Sequence, residues 1–155
     1  MSARVMESAR ISGYAQVSDY AQVSGNALVS GNALVSGNAW ISGRGDLTSP
    51  RHYLAAGPVG SEDRTVTLHR TYPGAGRDTW GHQVNAGCWS GTLDELAARI
   101  ASDNEHGWRG DDAACWRADY EAVIAMFRVR VAEWEAEPPI DADHARWAET
   151  SGGAA

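Results

Sequence analysis

The stretch VMESARISGYAQVSDYAQVSGNALVSGNALVSGNAWISGRGDLT, residues 5–48, decides the fold. Aliphatic residues recur every six positions, at Val5, Ile11, Val17, Val23, Val29, Val35, Ile41 and Leu47, without a slip. A small residue follows four places later, at Ala9, Ala15, Ala21, Ala27, Ala33, Ala39 and Gly45. This period fits neither the 3.6 of a helix nor the 2 of an alternating strand. It fits a chain that makes a short strand, turns a corner and repeats. Gly25-Asn26, Gly31-Asn32 and Gly37-Asn38 are the corner chemistry, because Gly and Asn tolerate positive φ. Val and Ile supply strand propensity and point inward, and the small residues fill the inside of each corner.

These hexads resemble the hexapeptide repeat of left-handed parallel β-helices. The resemblance covers about a third of the chain and implies triangular turns of 18 residues. Val5, Val23 and Ile41 would then stack on one face, Ile11, Val29 and Leu47 on the second, and Val17 and Val35 on the third. So short a stack has too few neighbouring units and open strand edges at its ends. The outward positions change from Gln16 and Gln22 to Leu28, Leu34 and Trp40. Those three would be covered either by the C-terminal segment or by another subunit. Proteins of this repeat family are commonly trimers, so the resemblance implies a homotrimer with Leu28, Leu34 and Trp40 at its interface.

Working outward, Leu47-Thr48-Ser49-Pro50 ends the repeat, since proline blocks further ladder pairing. Three strands are expected next. Tyr53–Ala56 is bounded by Gly57-Pro58. Arg64–Thr71 has Val66 and Leu68 on one face and Thr65, Thr67 and His69 on the other. Asp78–Cys88 has Trp80, His82, Val84, Ala86 and Cys88 on one face and follows the turn Tyr72-Pro73-Gly74-Ala75-Gly76. The second and third read as an antiparallel pair. Thr92 and Glu95 form a capping box that opens a helix with Leu93, Leu96, Ala97 and Ile100 on its apolar stripe. Asn104–Gly110 is a polar break containing Trp108. A second helix spans about 112–135 on the stripe Trp116, Tyr120, Val123, Ile124, Phe127, Val131 and Trp134, and Pro138-Pro139 stops it. The expected fold class is thus a β-helix plus α+β: a short left-handed parallel β-helix in residues 1–50, a small antiparallel sheet covered by two helices in 51–137, and an acidic tail in 138–155.

The chain has 155 residues, 13 Arg, no Lys, 20 acids and a net charge of −7. Charge is uneven: residues 1–50 balance, 51–90 carry +1 and 91–155 carry −8. No basic face suits a nucleic-acid duplex or a membrane surface. No apolar run approaches the roughly 20 residues of a span, and MSARVMESAR lacks the apolar core of a signal peptide. Two Cys are too few for a disulfide framework. A cytoplasmic location, in a bacterial host or phage-infected cell, is the expectation.

Catalytic and metal chemistry find little support. Active hexapeptide-repeat acyltransferases carry a catalytic His on a loop leaving the helix; residues 1–51 contain no His, and only His52 or His69 at a subunit junction could serve. Cys88 with His69 or His82 could form a thiol–base pair, but a Cys on an apolar strand face is ordinarily a small hydrophobe. Cys115 is expected to pack. Cys88 and Cys115 lack zinc-site spacing, and Asp103, Glu105, Asp111 and Asp112 lack a calcium-loop pattern. Glu133, Glu135 and Glu137 read as a solvated helix end. No cofactor and no metal are expected. The candidate ligand-binding residues are Ser61, Arg64, Thr65, Thr67, His69 and Arg70: Arg forks and hydroxyls in one strand suit a phosphate or carboxylate. The ordinary alternative is a polar solvent-facing strand. The stretch Ala86–Leu93 runs into a helix N-terminus, whose free N–H groups can also hold an anion.

The hexads, Gly60-Ser61-x-x-Arg64-Thr65-x-Thr67 and Cys88-Trp89-Ser90-Gly91-Thr92-Leu93 together resemble small hexapeptide-repeat proteins of phages and bacterial genomes. The context this implies is a virion or assembly part, or a counter-defence protein that sequesters a nucleotide signal. The expectation is a non-enzymatic homo-oligomeric binding protein whose α+β domain holds a small anionic, nucleotide-like ligand. The alternatives are a structural or protein-interaction module and a minimal acyltransferase.

Overall fold

The computed structural model describes residues 3–60, 63–73, 79–87, 89–102 and 112–137, with the backbone alone for 112–114. Ser61, Cys88, Trp108, Asp103, Glu105, Asp111, residues 74–78 and the tail 138–155 lie outside the described residues, as does the side chain of Asp112.

Each hexad contributes one two-residue strand: β1 (Arg4–Val5), β2 (Arg10–Ile11), β3 (Gln16–Val17), β4 (Gln22–Val23), β5 (Leu28–Val29), β6 (Leu34–Val35), β7 (Trp40–Ile41) and β8 (Asp46–Leu47). They pair in parallel with the register the hexads predict. Val5 lies against Val23 and Val23 against Ile41; Ile11 lies against Val29 and Val29 against Leu47; Val17 lies against Val35. The fold class nonetheless needs correction. The pairing makes three separate sheets, ordered β1-β4-β7, β2-β5-β8 and β3-β6, and none is closed or curled. A left-handed parallel β-helix is not evident. A corner every six residues leaves each strand two residues long, so each sheet is a short, open ladder of at most three strands. The three ladders share one apolar core, in which Ala21, Val23, Val29, Val35, Ile41 and Leu47 are buried.

The corners explain why the sequence tolerates so regular a path. Gly25 has φ +63, and a Cβ there would stand 2.8 Å from the backbone nitrogen of Gly43. Two corners place an acid where the repeat elsewhere has Gly. Glu7 and Asp19 adopt φ of 61 and 56. Their carboxylates accept the N–H of Gly25 at 2.8 Å and of Gly37 at 3.1 Å, one ladder step away. That bond offsets part of the left-handed cost.

After a single turn at Pro50–His52, capped by Ser49, four strands form an antiparallel sheet in the order β12-β11-β10-β9. They are β9 (Tyr53–Val59), β10 (Arg64–Thr71), β11 (Gly81–Ala86) and β12 (Trp89–Gly91). β9 continues through Gly57-Pro58, where a stop was expected; it is an edge strand, and its pairing with β10 shifts register opposite these two residues, between Arg64 and Val66, as a proline at a bulge allows. β12 was not anticipated, because three residues carry too little pattern. Helices α1 (Leu93–Ala101) and α2 (Asp112–Glu135) cover one face of the sheet. The expected capping box is present: Thr92 Oγ1 accepts from Glu95 N at 3.1 Å, and Glu95 accepts from Thr92 N at 3.0 Å. Leu93, Leu96, Ile100, Tyr120, Phe127 and Trp134 pack on Val66, Leu68 and Val84. No helix among the described residues is long and apolar enough to cross a membrane.

Candidate functional site

The antiparallel sheet has a second buried face, and two of the expected ligand residues, Thr67 and His69, lie on it. Alternation along β10 sends Val66 and Leu68 to the helices. It turns Thr67 and His69 toward the last strands of the ladders. Thr67, 1% exposed, accepts the Trp40 N–H through Oγ1 at 3.1 Å. His69, fully buried, accepts the Ser42 N–H through Nε2 at 3.3 Å. Its proton is thereby assigned to Nδ1, which donates to the Arg70 carbonyl at 3.1 Å. From β11, Asn85 donates to the Trp40 carbonyl at 2.7 Å, and Gln83 donates to Ser42 Oγ at 2.8 Å. Tyr72 N donates to the Arg44 carbonyl at 2.9 Å, and Gly45 bridges Thr71. Side chains, with the backbone of Thr71 and Tyr72, thus take up N–H and C=O groups that β7 and its flanks would otherwise leave as an open edge.

Beside this seam lies a charged cluster. Arg70, 2% exposed, donates through Nε to the Asp46 carbonyl at 2.9 Å and faces the Asp46 carboxylate at 3.5 Å. It reaches Glu137 at 2.5 Å and lies 3.5 Å over the Trp80 ring. Burial lowers its pKa, and the two carboxylates oppose that shift. His52 Nδ1 accepts from Thr48 N at 2.9 Å and Ser49 N at 3.2 Å, so Nε2–H donates to Glu137 at 3.2 Å. Burial, with Arg70 nearby, pushes His52 down to about 4. Burial likewise pushes His69 down to about 4. Both rings are neutral near pH 7 and held at both nitrogens.

The expected ligand residues therefore divide. Thr67, His69 and Arg70 are brought together, but their polar atoms turn inward onto the chain itself. Arg64 is half-buried and donates to the Ala86 carbonyl at 3.1 Å, and its guanidinium lies on Gly87, where a Cβ would fall 1.5 Å from a terminal nitrogen. Thr65 is half-buried. At the helix N-terminus several of the expected donors are taken: Leu93 N donates to His82 Nε2 at 3.0 Å, and the capping box takes Thr92 N and Glu95 N. Leu28 is enclosed by its own chain at 3% exposure, while Leu34 and Trp40 remain 42% and 36% exposed. Cys115 is exposed, where packing was expected. Glu137 bonds Arg70 and His52, where a solvated helix end was expected. Asp46, Gln83 and Asn85 were missed. Asp46 occupies an outward hexad position, and neither amide carries a motif.

Among the described residues, no three His, Cys, Asp or Glu side chains come together as a metal site. An open groove of about 420 Å³ lies along Leu34, Tyr53, Leu54, Arg51 and Arg130. Arg51 is tied to Glu133 by two bonds of 3.0 and 2.7 Å. Compared with protein-family models, with curated proteins and with solved structures, the chain matches none.

Proposed function

We propose that the protein is a non-enzymatic structural and protein-interaction module that assembles with copies of itself. One observation carries this reading. Thr67 and His69 are engaged in closing the ladder ends, and among the side chains that the ladders expose, Tyr14, Tyr20, Leu34 and Trp40 stand out as large and apolar or aromatic beside the polar Arg4, Arg10, Gln16 and Gln22. A contact between copies would take such side chains out of water, which is favourable in proportion to the apolar area covered. The hexapeptide resemblance adds a subunit count of three, with Leu34 and Trp40 in the contact. Native mass spectrometry of the protein purified from cells tests it. The expected species is a multiple of the 16.6 kDa protomer with no retained small molecule. A monomer, or a stoichiometric small-molecule adduct, overturns the reading.

A small anionic ligand is a second reading, favoured by Arg51 and Arg130 lining the groove beside Leu34 and Tyr53. It predicts that ATP, used as the probe in titration calorimetry, binds the wild type and is lost in Arg51→Ala/Arg130→Ala. Absence of heat with the wild type sinks it.

A further inference from the structure

The outer face of α2 has a pattern of its own. Its inner face carries Tyr120, Val123, Ile124, Phe127, Val131 and Trp134 into the core. Its outer face carries Cys115, Ala118, Ala122, Ala125, Val129 and Ala132, all exposed, with Val129 at 73%. Their spacing is 3, 4, 3, 4, 3, the a and d positions of a heptad. Met126 flanks this seam and is 45% exposed. A helix on the surface of a domain ordinarily shows water a charged face. On this one Asp119, Glu121, Arg128 and Glu133 are exposed on the flanks, and the strip between them, opposite the core, is uncharged.

We infer that the outer face of α2 is a second interface of the homo-oligomer, where α2 of one copy packs antiparallel on α2 of a second copy. The inference rests on the self-assembly proposed above. Three features select this occupant and direction. First, antiparallel pairing layers Cys115 on Ala132, Ala118 on Val129 and Ala122 on Ala125, each twice by symmetry. Every layer then holds at least one Ala, so the gap between helices is even. Parallel pairing would set Val129 on Val129 between layers of Ala on Ala. Second, the same register brings Glu121 of one copy beside Arg128 of the other, again twice. Arg128 is half-exposed, and its partner within the chain, Asp94, is 88% exposed at 3.1 Å, so exchange costs little. Third, antiparallel helices oppose their dipoles favourably. The contact is isologous, so it is a two-fold one.

The test uses the full chain and two readouts. Leu34→Glu/Trp40→Glu removes the ladder contact; native mass spectrometry should then show a dimer. Adding Ala125→Glu/Val129→Glu should give a monomer with an unchanged circular dichroism spectrum, since both positions face solvent within the chain. In a Cys88→Ala background, Ala132→Cys should let Cys115 form an intermolecular disulfide under mild oxidation, giving a dimer on a non-reducing gel. A Cys115 crosslink as strong without Ala132→Cys would mean parallel packing and overturn the inference. An assembly whose mass ignores Ala125→Glu/Val129→Glu would overturn it while leaving self-assembly intact. A monomeric wild type would remove both.

Discussion

His69 and His52 illustrate how burial sets the chemistry of single residues. Each ring accepts backbone N–H bonds and each is pushed down to about 4, chiefly by burial. An unfolded His titrates near 6.5. Between about 4 and 6.5 the unfolded chain therefore binds more protons than the folded one, and stability rises with pH across that window. Below about 4 both states are protonated and the loss is complete. Each ring contributes at most about 1.4 kcal/mol per pH unit within the window. Urea denaturation at pH 7, 5.5 and 4.5 should show a falling midpoint; a flat profile would mean that both rings are solvated. Thr67 offers a neutral comparison. Thr67→Val keeps the shape but leaves the Trp40 N–H without its acceptor. The expected loss is ~1–3 kcal/mol by chemical denaturation, with no pH dependence of its own.

At the scale of elements, the corners of the ladders carry the clearest test. Asp19 holds a left-handed conformation and accepts from Gly37 N at 3.1 Å. Asp19→Ala keeps the strain and loses the bond, so it should destabilise by ~1 kcal/mol, whereas Asp19→Gly relieves the strain and should cost less. Equal losses in the two variants would show that the carboxylate alone matters. The same corners show what a sequence can and cannot convey. The six-residue period fixes which aliphatics stack, because each ladder neighbour is three hexads away. It says nothing about whether the sheets curl, because curvature depends on strand length and ladder depth. The helices were legible because Thr92, Glu95 and the α2 stripe are local signals. β12 was not, since Trp89–Gly91 is too short for a period. The inward-facing set Thr67 and His69 was correctly placed on one face of β10. Its role was not legible, since a polar strand face looks the same whether it meets a ligand, water or the end of another sheet. Asn85 and Gln83 complete that face from a strand whose register only the structure supplies.

For the whole molecule, the question is whether the ladders and the α+β part behave as one unit. The boundary between them is closed by backbone and side-chain bonds, with Arg70 joining Asp46 of β8 to Glu137, two residues past the end of α2. A buried pair of this kind adds little against a well-packed apolar substitute, but breaking it strands a charge. The Asp46 carboxylate is 1% exposed, so Arg70→Ala would take from a buried carboxylate the guanidinium that it faces at 3.5 Å. The expected cost is ~3–5 kcal/mol. Because Asp46 lies in the ladders and Trp80 and Glu137 in the α+β part, that loss should reach both at once. Tryptophan fluorescence weights the α+β part, where Trp80, Trp89 and Trp134 lie, and far-ultraviolet dichroism includes the ladders. The two probes should report a single urea transition in the wild type and a coincident, lowered one in Arg70→Ala. Separate transitions in the wild type would show instead that the seam of Thr67, His69 and Asn85 does not couple the halves. The ladders would then depend for their stability on contacts with other copies.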